Sequence, residues 1–228
     1  MPSAKAARPL PFQPVPRETV QSRVYHRLTS MILDGEIEPG QTVTITAWAE
    51  AFGVSAMPVR EALHRLTAAG ALTVVTGRSV GIPPLSVERL LDLRRVRIEV
   101  EGLAAEWSAR HVTPALLTRL DELIARMSRF AADDGATSFV PVNREFHFVI
   151  YAAANSEALL SVIENLWLQI GPYLGLLRGS GNWRFANQQH QLLRDALEDG
   201  DGMSARAAVR ADIEEAASIL VKLLNVRL

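Results

Sequence analysis

The chain has 228 residues, 48% of them hydrophobic, which provides enough apolar surface for a full core and confines any expected disorder to the ends. It contains no cysteine, which excludes disulfides and thiolate metal ligands and leaves only nitrogen and oxygen donors for any metal. The formal net charge is −1, yet basic residues outnumber acidic ones before Pro84 and the balance reverses after it, so a locally basic face for nucleic acid is compatible with the composition.

The first residues, 1–16, carry Pro2, Pro9, Pro11, Pro14 and Pro16 and are expected to form a flexible arm, with Lys5 and Arg8 as its cations. Val20, Val24, Leu28, Met31 and Ile32 then recur with helical spacing up to Asp34-Gly35, and Glu38-Pro39-Gly40 marks a turn. A short helix fits 46–52. Another begins after Gly53-Val54, with Ser55 as its N-cap and Pro58 in its first turn. Residues 72–75 and 79–82 are expected to pair as two strands across Thr76-Gly77-Arg78. Three helices followed by a hairpin predict a winged helix-turn-helix over 17–83, closed by the break at Ile82-Pro83-Pro84.

From 84 to 228 the chain reads as helix with short breaks, roughly at 86–110, 114–133, 137–153, 156–177, 184–199 and 203–226. The expected fold is therefore mainly α: a winged helix-turn-helix followed by an all-α antiparallel six-helix bundle. No apolar run is long enough to span a bilayer, and no basic start precedes an apolar stretch, so a cytoplasmic protein without membrane contact is expected.

A helix that reads DNA meets it with its N-terminal end, where unsatisfied N–H groups attract phosphate and the first exposed side chains reach base edges. That end carries Ser55, Ala56, Met57 and Arg60. Arg60 can make a bidentate contact with guanine, while His64 and Arg65, one turn on, suit phosphates. Thr76, Gly77 and Arg78 at the wing tip would let the backbone approach the duplex closely. The competing reading of these side chains is a merely solvated surface helix.

The run LDGEIEPG from Leu33, then AEAFGVSAMPVREAL, then AAGALTVVTGRSVGI, resembles the N-terminal domain of the GntR family of bacterial regulators. One position departs from it: where the family usually has an arginine after Gly-Val-Ser, this chain has Ala56, which can meet only a thymine methyl. The remainder is similar to the effector-binding domain of the FadR-like branch, the type called FCD, through LLDLRRVRIEVEGLAA, NREFHFVIYAAANSEALL and HQLLRDALEDGDGMSARAAVRADIEEA. Six helices rather than seven make it resemble the shorter VanR-type version.

Such domains bind small carboxylates, often through a divalent metal held by one aspartate and three histidines. The resemblance places Asn143 at the aspartate position, His147 and His190 at two histidine positions, and Asp212 at the last histidine position. It implies either a divalent ion of the zinc, nickel or manganese class or, without metal, a polar pocket made by the same four residues. Arg95 is the candidate partner for an effector carboxylate, with Arg144 and Arg178 behind it. Trp167, Trp183 and Tyr173 are assigned to core or pocket wall, and Trp107 to core or a dimer contact.

The implied protein is a non-enzymatic homodimeric regulator, repressor or activator, that binds double-stranded operator DNA and responds to a small carboxylate. The rival is a metal-dependent enzyme using His147, His190 and Asp212, for which Glu145 is set on the wrong helical face to be a base.

Overall fold

The computed structural model describes residues 19–76, 79–132, 136–177 and 183–226. The proline-rich arm, Gly77 and Arg78 at the wing tip, and Arg178 lie outside the described residues, as does the side chain of Trp183.

Helix α1 (Val20–Leu33) starts at Thr19, whose hydroxyl accepts from the Ser22 N–H, and buries Val24, Leu28, Ile32 and Leu33. Strand β1 (Thr42–Thr44) leads directly into α2 (Ile45–Phe52), which Thr44 caps through the Ala47 N–H. Gly53 ends α2 at φ +63°, a left-handed conformation that a side chain would strain, and this lets the Val54 N–H return to the Ala49 carbonyl. Helix α3 (Ala56–Ala68) follows within three residues and packs Val59, Ala62, Leu63 and Leu66 against α1 and α2.

Strands β2 (Thr73–Thr76) and β3 (Ser79–Gly81) form the wing, with an irregularity between Val74 and Thr76. The sheet has three strands, not the two expected from sequence, because β1 pairs antiparallel with β3 and gives the order β1-β3-β2. Three β-branched residues are too few to show a period, so β1 left no recognisable pattern.

Six helices follow as expected: α4 (Val87–Ser108), α5 (Pro114–Ala132), α6 (Ala136–Ala153), α7 (Glu157–Leu174) with a 3₁₀ turn at Gly175–Leu177, α8 (Trp183–Glu198) and α9 (Gly202–Val226). Ser86, Thr113, Ser156 and Asp201 each accept an N–H of the first turn of the helix they precede, so the breaks read from sequence are capping sites. Helix α9 packs along α4 and α8, and α5 along α6 and α8.

The bundle packs directly on the helices before it. Gly171 of α7 faces α1 where an added Cβ would stand 3.1 Å from the Leu33 Cα, so a side chain there would require α1 to give by a few tenths of an ångström. The Arg144 guanidinium of α6 lies 2.9 Å from the Asp34 carboxylate at the end of α1, and the Tyr173 hydroxyl of α7 donates to the Pro83 carbonyl. One continuous set of buried side chains runs from Leu28 and Leu66 through Leu90 to Phe146, Trp167 and Val209.

Candidate functional site

At the N-terminal end of α3, Ser55, Ala56, Met57 and Arg60 are exposed, as are His64 and Arg65. Ser55 has the extended backbone of an N-cap, but its hydroxyl makes no bond back to the helix. No N-cap side chain occupies the first-turn N–H groups at this end, which suit an anion. Met57 is 62% exposed, an apolar side chain that the fold itself does not bury. Arg60 makes no ion pair or hydrogen bond among the described residues, whereas Arg65 is stacked over the Tyr25 ring at 3.7 Å and so held against α1. In the wing, the Thr76 and Ser79 hydroxyls are hydrogen-bonded at 2.6 Å, which joins the two strands beside the tip.

The bundle brings together three of the four residues assigned to metal. Ligand atoms of His147, His190 and Asp212, from α6, α8 and α9, all lie within 4.8 Å of one another. Donors on one tetrahedral ion with bonds of about 2.1 Å stand about 3.4 Å apart, so an inward movement of up to about an ångström brings all three onto a common centre. Asn143, one turn before His147, lines the same small cavity with Arg97 and Trp167. That cavity is about 30 Å³, room for one ion or water and not for an organic acid in this closed arrangement.

His190 is fully buried, and its Nε2 has no hydrogen-bond partner. Burial holds it neutral, lowering its pKa to about 3 with His147 adding to the effect and Asp212 opposing it. A neutral ring with an orphaned nitrogen is the form that ligates a cation. Burial pushes Asp212 up, but the imidazoles of His147 and His190 and the positive charge of Arg97 more than offset this and hold its carboxyl below the ordinary value. The Asp212 Oδ2 lies 3.4 Å from His147 Nε2. The donor set of two imidazoles and a carboxylate thus fits a first-row divalent ion.

Around this cluster lies a buried hydrogen-bond network that the sequence reading missed. Glu101 Oε1 accepts from Arg97 Nε at 2.6 Å, and Oε2 accepts from the Tyr151 hydroxyl at 2.7 Å and the Trp167 indole N–H at 3.0 Å. The Tyr151 oxygen is also 3.2 Å from His147 Nδ1. Burial, then the charge and hydrogen bond of Glu101, raise the Tyr151 hydroxyl well above its ordinary range, so it keeps its proton.

Two assignments are corrected. Arg95 projects to solvent, 73% exposed and paired with Asp92, and does not reach the cavity; Arg97, two residues on and across the helix, does. A signal for this was present: Arg97 shares a helical stripe with Leu90, Ile98, Glu101 and Ala105, so an (i, i+4) pair of opposite charge falls on the apolar face. Arg144 faces Asp34 and lines a larger cleft of about 850 Å³ between α1 and helices α5 to α7, on the other side of α6 from His147. Glu145 lies in that cleft too, held by Arg119 and Arg126, away from the histidines as its spacing suggests. Trp167 is both core and pocket wall, Tyr173 is buried and links to Pro83, and Trp107 packs at the edge of the core. No helix among the described residues is long and apolar enough to cross a membrane.

Comparison with known proteins supplies the context. The FCD domain family matches residues 92–215, and the family described as bacterial regulatory proteins, gntR family, matches residues 20–82. The HTH-type transcriptional regulator McbR of Escherichia coli (strain K12) is 29% identical over 209 residues, which cover 90% of this chain and 93% of that protein. The solved structure of E. coli McbR/YncC superposes with a TM-score of 0.84 at 28% identity, over 90% of this chain and 98% of that one. A putative transcriptional regulator GntR from Rhodococcus sp. RHA1, at 20% identity and a TM-score of 0.72 over 89% of this chain and 97% of that one, has the same fold.

Proposed function

Because this chain belongs to the gntR family of bacterial regulatory proteins, as a DNA-binding transcriptional regulator with an FCD domain, we propose that a small carboxylate bound in its helical bundle alters its hold on operator DNA. Residues 17–83 are the DNA-binding part and residues 84–228 the effector-binding and dimerisation part. Two copies place their α3 helices in successive major grooves of a pseudopalindromic operator. Ser55, Ala56, Met57 and Arg60 face bases, His64 and Arg65 face phosphates, and the wing with Thr76, Gly77 and Arg78 follows the backbone. The partners are double-stranded DNA, a small organic acid and a second copy; no reaction is catalysed.

The observation that carries the effector site is the orphaned Nε2 of His190 beside His147 and Asp212. His147, His190 and Asp212 would hold a divalent ion of the zinc, nickel or manganese class, with Asn143 as a neutral oxygen donor beside them. When bound, the ion supplies a Lewis-acid charge to which a carboxylate can bind. Arg97 takes the role first given to Arg95: it spends Nε and one terminal nitrogen on Glu101, which leaves the other terminal nitrogen for the acid. In the metal-free alternative, the same residues hydrogen-bond the acid directly.

The closed cavity supports a coupling between effector binding and the DNA-binding part. An acid larger than a water has to push the surrounding helices apart, and α6 and α7, which carry His147 and Trp167 into the pocket, also carry Arg144 to Asp34 and Tyr173 to Pro83. Differential affinity of the acid for the opened arrangement is then coupled to the spacing of the two α3 helices, and loss of DNA binding is the expected direction.

Purified without chelator, the protein is expected to carry about one divalent first-row ion per chain by elemental analysis. The His147→Ala/His190→Ala variant is expected to carry none. Unmutated protein that holds no metal and takes up no added zinc or nickel contradicts the metal reading and leaves the metal-free pocket.

A further inference from the structure

We propose that two separate hydrogen-bond chains fix the hydrogens of His147 and His190 on Nδ1, so that both rings present Nε2 to the same point; Tyr151, Glu101, Asn187 and Ser128 are positioning residues for that arrangement. The inference rests on reading His147, His190 and Asp212 as cation donors.

The first chain starts at Glu101. Ion-paired with Arg97 at 2.6 Å, Glu101 is a carboxylate and can only accept. The single hydrogen of the Tyr151 hydroxyl is therefore spent on Glu101 Oε2, at 2.7 Å the shorter of its two contacts and the charge-assisted one. The remaining contact of the Tyr151 oxygen, 3.2 Å to His147 Nδ1, must run the other way, with Nδ1–H donating to the hydroxyl oxygen. When the ring carries a single hydrogen, its lone pair is then at Nε2, 3.4 Å from Asp212 Oδ2. Two acceptors face each other there, an arrangement that a cation between them satisfies.

The second chain starts at a backbone carbonyl. The Ser128 hydroxyl donates to the Ile124 carbonyl at 3.0 Å, so toward Asn187 its oxygen is an acceptor. The Asn187 amide donates Nδ2–H to it at 3.0 Å, which settles which end of the amide is which. Its Oδ1, 3.4 Å from His190 Nδ1, accepts from that nitrogen. His190 Nε2 is thereby the bare nitrogen, the same atom that lies buried without a partner. The two chains come from different helices, one from α4 through α6 and the other from α5 through α8, and reach the same tautomer.

Removing the first chain has a defined consequence. Without the Tyr151 oxygen, His147 gains by moving its hydrogen to Nε2 and donating to Asp212, which closes the cation position. The test uses the full chain with ¹⁵N-labelled histidine, stripped of metal, and reads by two-bond ¹H–¹⁵N correlation which ring nitrogens bear hydrogen; zinc is then titrated by calorimetry. In the unmutated protein Nδ1 of both rings bears hydrogen, and zinc shifts only the Nε2 signals. Tyr151→Phe, which keeps the buried ring, moves the His147 hydrogen off Nδ1 and weakens zinc binding by about 10- to 100-fold, while the His190 signals stay as they were. Asn187→Ala does the converse.

A bare Nδ1 on either histidine of the unmutated protein overturns the proposal, as does Tyr151→Phe with an unchanged His147 tautomer. Unmutated protein that bears both Nδ1 hydrogens but binds no zinc upholds the two chains and rejects the metal reading on which they were brought to bear.

Discussion

Replacing Arg60 with alanine is expected to weaken binding to an operator duplex by about 1 to 3 kcal/mol per half-site, roughly 5- to 150-fold, while leaving binding to unrelated DNA nearly unchanged. The reason lies in what surrounds it. At the reading end of α3, Ala56 offers only a methyl group, Met57 an apolar chain and Ser55 a short hydroxyl. Arg65 lies one turn further on, stacked over the Tyr25 ring. Arg60 is exposed and makes no ion pair among the described residues, so its planar fork is the one guanidinium at that end free to take both acceptors of a guanine. Arg60→Lys keeps the charge but not the fork, and is expected to bind unrelated DNA as the unmutated protein does without restoring the base preference. Because the side chain is exposed, thermal unfolding of Arg60→Ala should match that of the unmutated protein. Equal affinity of the two for a selected duplex in a mobility-shift titration would remove Arg60 from the reading surface.

The second large effect is on stability. Glu101→Ala is expected to cost about 3 to 5 kcal/mol, because it leaves the Arg97 charge buried without its partner and strips the acceptor from Tyr151 and Trp167 at once. Arg97 and Glu101 are 7% and 0% exposed, so water cannot replace what is lost. The pair itself is not the source of that much stability, since two buried charges lose most of their attraction to desolvation. Arg97→Met/Glu101→Met, which removes both charges and keeps most of the volume, should therefore be more stable than Glu101→Ala. Denaturant melts of the three proteins at one pH check the order; a Glu101→Ala protein as stable as the unmutated one would mean that the network is not closed to water.

Much of this molecule is legible in its sequence, for local reasons. Thr19, Thr44, Ser86, Thr113, Ser156 and Asp201 are capping residues whose chemistry acts within three residues, so most of the helix starts read from the sequence fall within a residue or two of where the structure has them. Gly35 and Gly200, both at positive φ, end helices for equally local reasons. The positions of His147, His190 and Asp212 came from the family register, and the fold brings them together.

What escaped depends on contacts between distant segments. Strand β1 exists only because β3 lies beside it. Arg95 and Arg97 differ in sequence by a single valine between them, but one faces Asp92 and water and the other lies under Trp167. Arg144, next to Asn143, turns instead to Asp34 because adjacent helical residues point about a quarter turn apart. Glu101 is marked in the sequence only by its place on the apolar stripe of α4, and its partners Tyr151 and Trp167 lie fifty and sixty-six residues away.

We propose that the pocket around His147 and His190 controls the grip of α3 on DNA. It is tested most directly by fluorescence anisotropy with a duplex selected from a random library, titrated with the full chain in zinc-containing buffer with and without each of a panel of small carboxylic acids. At least one acid is expected to shift the dissociation constant by roughly 5- to 150-fold, a coupling of about 1 to 3 kcal/mol, and His147→Ala/His190→Ala to bind the duplex but no longer respond. A shift of the same size in that double variant, or an isotherm that no acid moves, would contradict it.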